Sequence, residues 1–360
     1  MQKILITNNH LHDIKGSELV TLELAEMFLL IGWQVTIYTN LYMQPLSHEF
    51  SRLVGRENLH IYQDPCEVVS VDFDIIWIQQ NTIPPAVIDA LATTGLHTYI
   101  IWHHMSSFIH IELPLLADVE NALCDVVTCI SPESAGCIAQ YGIDEHRIAL
   151  FDNPAPDTFA DYPRPATATD KPASLLLVSN HLPEEVRLAI PAIQKQGVAV
   201  IHLGDGSAVK RLNPALLSGY DAVLTIGKTV QYALSMGLPV YEYDHFGGYG
   251  WLTEDNFDCA ARMNFSGRAS GQKKTSQEIA HEIVTGYRDA KAYVTENSAQ
   301  LADKYRLSNQ LSQLLQRLSA TPSLKKISAR QALQVKTFTE LHRGLYRTLM
   351  YFKMRVQEQQ

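Results

Sequence analysis

Two adjacent imidazoles, His103 and His104, close an apolar run that begins Tyr99-Ile100-Ile101-Trp102. Imidazole titrates near neutral pH, so such a pair serves as a general base or as a donor to a diphosphate or sugar hydroxyl. His103, at the strand end, is the residue expected at the reacting centre. A second candidate is Gly227-Lys228-Thr229, which opens an amphipathic helix. A lysine beside the free amides of a helix start makes an anion site. A third is Asp244-His245-Phe246-Gly247-Gly248-Tyr249-Gly250, read as a loop whose glycines let backbone wrap a phosphate or sugar. Gly16 and Ser17, at the start of another helix, and Lys210 with Arg211, after Gly204-Asp205-Gly206, complete the expected phosphate contacts. Each has an ordinary alternative: loop histidines bonded to backbone, a solvated lysine, a surface turn, Ser17 as a helix cap.

These groups matter only if the fold brings them to one edge. Lys3-Ile4-Leu5-Ile6-Thr7 reads as a buried strand. A polar loop follows, and then Val20, Leu24, Met27, Phe28 and Ile31 recur at helical spacing before Gly32 and a second strand, Trp33 to Thr39. The pattern predicts further strands at 74–78, 98–103, 126–130 and 148–151. After a proline-rich stretch it resumes at 175–179, 199–203, 222–226 and 240–243. Helical periodicity fills the intervals and dominates from 276 to 318. Such alternation specifies α/β domains with parallel sheets covered on both faces. In open sheets of this kind, ligands bind beyond the carboxyl ends of the strands. The candidates above all follow a strand. Asp72-Phe73-Asp74, a possible metal motif, instead precedes one, so no metal site is expected.

The expected domains are residues 1–153, a linker at 154–172, residues 173–320 and a helical tail at 321–360. Length, with 46% hydrophobic and 19% charged residues, suits two cores. A formal charge of −9 argues against nucleic acid as a partner. The charge is uneven: the tail carries +6, leaving −15 on the remainder. Five cysteines without metal-type spacing imply reduced, buried thiols. With neither a leader nor an apolar span of membrane length in view, a cytoplasmic protein is expected. Ala222 stands where a P-loop needs its first glycine, and no GxGxxG run occurs, so neither ATP hydrolysis nor dinucleotide binding is expected.

Several segments, in order, resemble the GT-B glycosyltransferases, and among them the retaining family 4. Lys3-Ile4-Leu5-Ile6, Gly16-Ser17-Glu18, Leu24-Ala25 and Gly32-Trp33-Gln34-Val35-Thr36 resemble that family's opening. His103 resembles its strand-end histidine. Ser131 and Arg147-Ile148-Ala149-Leu150-Phe151-Asp152-Asn153-Pro154 resemble the passage before its linker. Ala233-Leu234-Ser235-Met236-Gly237-Leu238-Pro239-Val240 resembles its "AMACGxPV" segment. The family's glutamate pair is not kept, since Leu224 and Tyr232 occupy those places. The resemblance implies two Rossmann-like domains and transfer of a sugar from a nucleotide-sugar donor to a glycan or lipid-linked acceptor, without a cofactor or metal. It also points to bacterial polysaccharide assembly. The alternatives are a nucleotide-sugar epimerase of the same architecture and an inactive nucleotide-sugar-binding scaffold.

The tail adds a separate expectation. Val335, Phe338, Leu341, Leu345, Leu349, Phe352 and Val356 recur at helical intervals, with Arg343, Arg347, Lys353 and Arg355 between them. This suits a helix on an anionic membrane surface. The competing reading is a terminal helix packed on the acidic body or on a second subunit.

Overall fold

The computed structural model describes residues 1–163, 169–204 and 210–357, the last five of these as backbone alone. The chain forms two compact units. One comprises residues 1–130, 134–150 and 314–360; the other comprises 131–133 and 151–313.

The first unit is built on β1 (Lys3–Asn8), β2 (Gln34–Thr39), β3 (Leu59–Tyr62), β4 (Ile75–Gln79), a short β5 (Leu96–His97), β6 (Tyr99–His104), β7 (Val126–Cys129) and β8 (Ile148–Leu150). Seven of these make a parallel sheet in the order β3-β2-β1-β4-β6-β7-β8. Strands alternate faces, so Leu5, Ile76, Ile78, Ile100, Trp102 and Val127 pack on one side with the helix Pro85–Ala92. Burying each such side chain contributes about 1.5–3 kcal/mol. The order runs outward from β1 and β4, so the ligand crevice of this sheet lies between the loops that follow those two strands. β3 escapes sequence analysis because it is an edge strand whose four residues are all only half-buried.

The second unit contains β9 (Ser174–Val178), β10 (Ala199–Leu203), β11 (Ala222–Thr225), β12 (Val240–Asp244) and β13 (Gly247–Trp251), in the order β10-β9-β11-β12-β13. Leu176, Val223 and Val240 face one core; Leu175, Leu177, Leu224 and Tyr241 face the other. Here the switch of strand order falls between β9 and β11. The first four strands are parallel, but β13 runs antiparallel to β12. The glycine-rich loop expected at 247–250 is therefore a strand. Gly250 pairs with Glu242 and Gly247 with Asp244. A Cβ on Gly248 would stand 2.0 Å from the Glu242 carbonyl oxygen. The hairpin itself requires these glycines.

The proline-rich stretch is not a free linker where it is described. Ala155 bridges to Arg306, residues Asp157–Ala160 form a helical turn, and Phe159 is buried with its ring 4.4 Å from Tyr232. The end of the chain belongs to the first unit. β14 (Leu324–Lys325) pairs with β5, Lys325 Nζ meets Asp125 at 2.6 Å, and the helix Ala329–Gln357 lays Ala332 and Val335 on the Pro85–Ala92 helix. The packed-back reading thus holds for the first turns of the tail helix. Farther on, Leu341, Leu345, Leu349 and Phe352 are exposed. Among the cysteines, Cys124 and Cys129 are buried and Cys137 half-buried, but Cys66 and Cys259 are exposed. No helix among the described residues is long and apolar enough to cross a membrane.

Candidate functional site

In the second unit, Gly227 ends the link from β11 with φ +59° and caps the helix Lys228–Ser235 without any side-chain cap. That backbone conformation favours glycine. Its N–H donates to the Phe265 carbonyl at 2.9 Å, which fixes where the helix begins. Thr229 is half-buried in the first turn. Lys228 is not the solvated lysine of a surface turn. It is buried, its Nζ donates to the Pro154 carbonyl at 2.8 Å and lies 5.3 Å from the Tyr232 ring centre. Tyr232, where the family 4 pattern has a glutamate, is core.

Two carboxylates lie in the carboxyl-terminal half of β12. Glu242 is fully buried and accepts the Gly267 N–H at 2.9 Å and the Tyr249 N–H at 3.2 Å; burial pushes its carboxyl above the usual range. Sequence reasoning missed it, although a lone glutamate inside Val240-Tyr241-Glu242-Tyr243 was the available signal. Asp244 is buried, with Oδ2 3.0 Å from the exposed His245 ring. Gly247 and Gly250 lie in the hairpin with Gly248, and the Tyr249 hydroxyl donates to the Ala269 carbonyl at 3.2 Å. The structure thus gives all four residues work inside the fold. Lys210 is exposed and Arg211 half-buried; residues 205–209, which carry Asp205 and Gly206, lie outside the described residues.

In the first unit, His103 and His104 are not loop residues. Both belong to β6 and both are buried. His103 Nδ1 lies 2.8 Å from Thr128 Oγ1 on the neighbouring strand, and its ring packs 5.6 Å from that of Trp77. His104 Nδ1 meets the Glu112 carbonyl, and Nε2 stands 2.9 Å from Glu120 Oε2. Burial alone would lower the His104 pKa, but Glu120 and Glu112 outweigh it and the net shift is upward. β6 runs one residue farther than the apolar pattern suggested and takes in His104, so both rings are buried among the neighbouring strands.

The crevice instead collects the loop after β1. Gly16 and Ser17 begin the helix Gly16–Leu30, whose N-cap, Lys15, supplies no side-chain hydrogen bond. A Cβ on Gly16 would meet only Met105 Cε, at 3.8 Å. The packing of the protein does not itself demand glycine there. Ser17 Oγ accepts from Gln80 Nε2 at 3.1 Å, which also donates to Glu112 Oε1 at 3.0 Å. Gln80 Oε1 accepts the Asn9 N–H at 3.2 Å. Gln80 and Asn81, the two residues after β4, both adopt φ +52°, a conformation rare for residues with a side chain. Outliers of this kind persist where surrounding bonds over-determine them, and they cluster at functional sites. Asn81 is held by Trp102 Nε1 at 3.1 Å and by the Ile111 and Leu113 carbonyls, each at 2.9 Å. Within the same loop, Glu18 is buried and its Oε1 accepts the N–H groups of His12 and Asp13 at 3.2 and 2.8 Å. His10 stacks on Tyr346 of the C-terminal helix, ring centres 4.4 Å apart. Burial pushes His10 down to about 4, so its ring is neutral at neutral pH. The sequence reading passed over His10 and His12; two histidines two apart in a loop at a strand's carboxyl end were the missed signal.

No protein-family model and no curated protein matches the chain. Solved structures do. HepE of Anabaena, in complex with UDP-glucose, aligns over 88% of this chain and 100% of its own, with a TM-score of 0.59 at 15% identity. A glycosyltransferase of Rickettsia africae aligns over 88% and 97%, with a TM-score of 0.52 at 12% identity. UGT89C1 of Arabidopsis thaliana, complexed with UDP-L-rhamnose, gives 88%, 98%, 0.52 and 12% in the same order. Two sheets of Rossmann type, each containing a strand-order switch, together with these likenesses, give the chain the fold of the GT-B glycosyltransferases.

Proposed function

We propose that the protein is a glycosyltransferase that moves a sugar from a nucleotide-sugar donor to a glycan or lipid-linked acceptor. The reading takes it as a divergent member of family 4, or of a neighbouring family, working in bacterial surface-polysaccharide assembly. One observation carries the donor assignment: at the strand-order switch of the second unit, a positive-φ glycine opens an uncapped helix, Lys228–Ser235. The first turn of a helix at such a point favours a diphosphate. Thr229 supplies a hydroxyl, and Lys228 exchanges the Pro154 carbonyl for a phosphate oxygen. These groups offset leaving-group charge without a metal at the phosphates. Retention is the outcome the family resemblance favours, and the burial of His103 supports it.

The same reading places the protein in the cytoplasm, with the exposed leucines of the tail helix against the anionic inner face of the membrane, beside a lipid-linked acceptor. It is supported by the tail charge of +6 and by exposed Leu341, Leu345, Leu349 and Phe352. Flotation with anionic liposomes at low and high salt tests it, and absence of binding by the intact chain overturns it.

The test of the transfer reading is incubation with UDP-, GDP- and CMP-sugars, with and without glycan acceptors. Transfer, or slow release of free sugar, from one donor is expected. Epimerised donor without release would instead identify an epimerase. Nucleotide binding with neither outcome would identify a scaffold.

A further inference from the structure

We propose that His10, His12 and Glu18 form a binding site for one divalent ion of the zinc class, clamped by Tyr346 from the C-terminal helix. One ligand atom from each of the three residues lies within 4.8 Å of the others. Two imidazole nitrogens and a carboxylate oxygen are a donor set for zinc and its late first-row neighbours, not for magnesium or calcium.

The decisive geometry is at His12. Its Nδ1 lies 3.2 Å from Glu18 Oε1, yet the buried nitrogen makes no hydrogen bond among the described residues. An ordinary histidine–carboxylate pair would aim an N–H at the oxygen. Two donor atoms side by side at this distance match instead the ligand spacing around a tetrahedral ion, roughly 3.4 Å for bonds of about 2.1 Å.

The surroundings are built as a metal's outer shell is built. Glu18 is buried, and its Oε1 is oriented by the His12 and Asp13 amides. Tyr346 stacks on the His10 ring with an interplanar angle of 15°. Such outer contacts fix ligand orientation. The ion would tie together the loop after β1, the start of the Gly16–Leu30 helix and the tail. Three protein ligands leave a further position for water. The site stands apart from the donor assignment in the second unit and does not depend on it.

The full chain, stripped with a chelator, is titrated with zinc against a chromophoric competitor, and with cobalt(II) while the visible spectrum is read. The wild-type chain should bind one equivalent more than the double variant His10→Ala/His12→Ala, and only the wild type should show the absorption bands of tetrahedrally bound cobalt. The double variant controls for the other twelve of the 14 histidines. Tyr346→Ala, which removes no ligand, should weaken the site about ten- to a hundredfold. Circular dichroism and thermal melting of the metal-free variants establish that they fold. Equal uptake by folded wild type and double variant, or no uptake by either, overturns the proposal.

Discussion

The two histidine pairs of the first unit stand at the carboxyl ends of strands in the same sheet and have opposite fates. His103 and His104 are inside β6, bonded to Thr128, Glu112 and Glu120. His10 and His12 lie past the end of β1, in the loop, against a carboxylate and a tyrosine. Composition does not separate the pairs. What separates them is whether hydrogen bonding to a neighbouring strand continues through the residue. β6 continues because β4 and β7 flank it, so Gln79 pairs with His103 and Cys129 with His104. Past Asn8 the regular ladder of β1 gives way to a single bridge, from Leu11 to Tyr42, and His10 and His12 lie in the loop on either side of it. A buried imidazole is committed to the partners that offset its desolvation.

The largest expected effect sharpens that contrast. Glu120→Ala leaves the buried His104 without its carboxylate, and breaking such a pair costs about 3–5 kcal/mol. His10→Ala removes one half-buried ring contact and should cost about 0.5–1.5 kcal/mol. Urea melts of the two variants measure the difference, and equal losses would break the comparison.

The second unit contains the same opposition between residues used by the fold and residues left over. Gly248→Val drives a side chain into the Glu242 carbonyl and should destabilise by about 1–3 kcal/mol or more, as overpacking does. A valine variant with a wild-type melting temperature would mean that the hairpin yields. Lys228→Ala bears on the donor reading. Hydrogen bonds to charged groups contribute about 1.5–3 kcal/mol, so nucleoside-diphosphate affinity should fall roughly ten- to a hundredfold. Unchanged affinity in calorimetry would leave Lys228 a role inside the fold alone.

The smallest effect is a dependence on pH. His104 faces Glu112 and Glu120, and its folded pKa is raised above its unfolded value of 6.5. Its contribution to stability is then complete below pH 6.5 and lost as pH rises through the folded value. Wild type should lose stability over that window relative to Glu120→Gln, in which the principal raising charge is gone. Parallel melting curves for the two would show that His104 does not titrate there.

Much of the architecture was legible in the residues alone. Ala199–Leu203 was expected with the bounds it has, and most other strands to within one residue, because apolar runs bounded by glycine and polar turns follow from local sterics and burial. The start of the Lys228–Ser235 helix was legible for the same reason: Gly227 marks it locally. Tertiary structure decided the rest. Gly247-Gly248-Tyr249-Gly250 has no strand propensity of its own and becomes β13 only because β12 offers an unpaired edge and no room for a Cβ. The tail reads as one amphipathic helix, yet Val335 is buried and Leu345 exposed, because a partner surface exists for one and not the other. The candidate site divides in the same way. Sequence identifies residues able to hold a proton, a phosphate or a metal, but only long-range pairing determines which of them the core has already used.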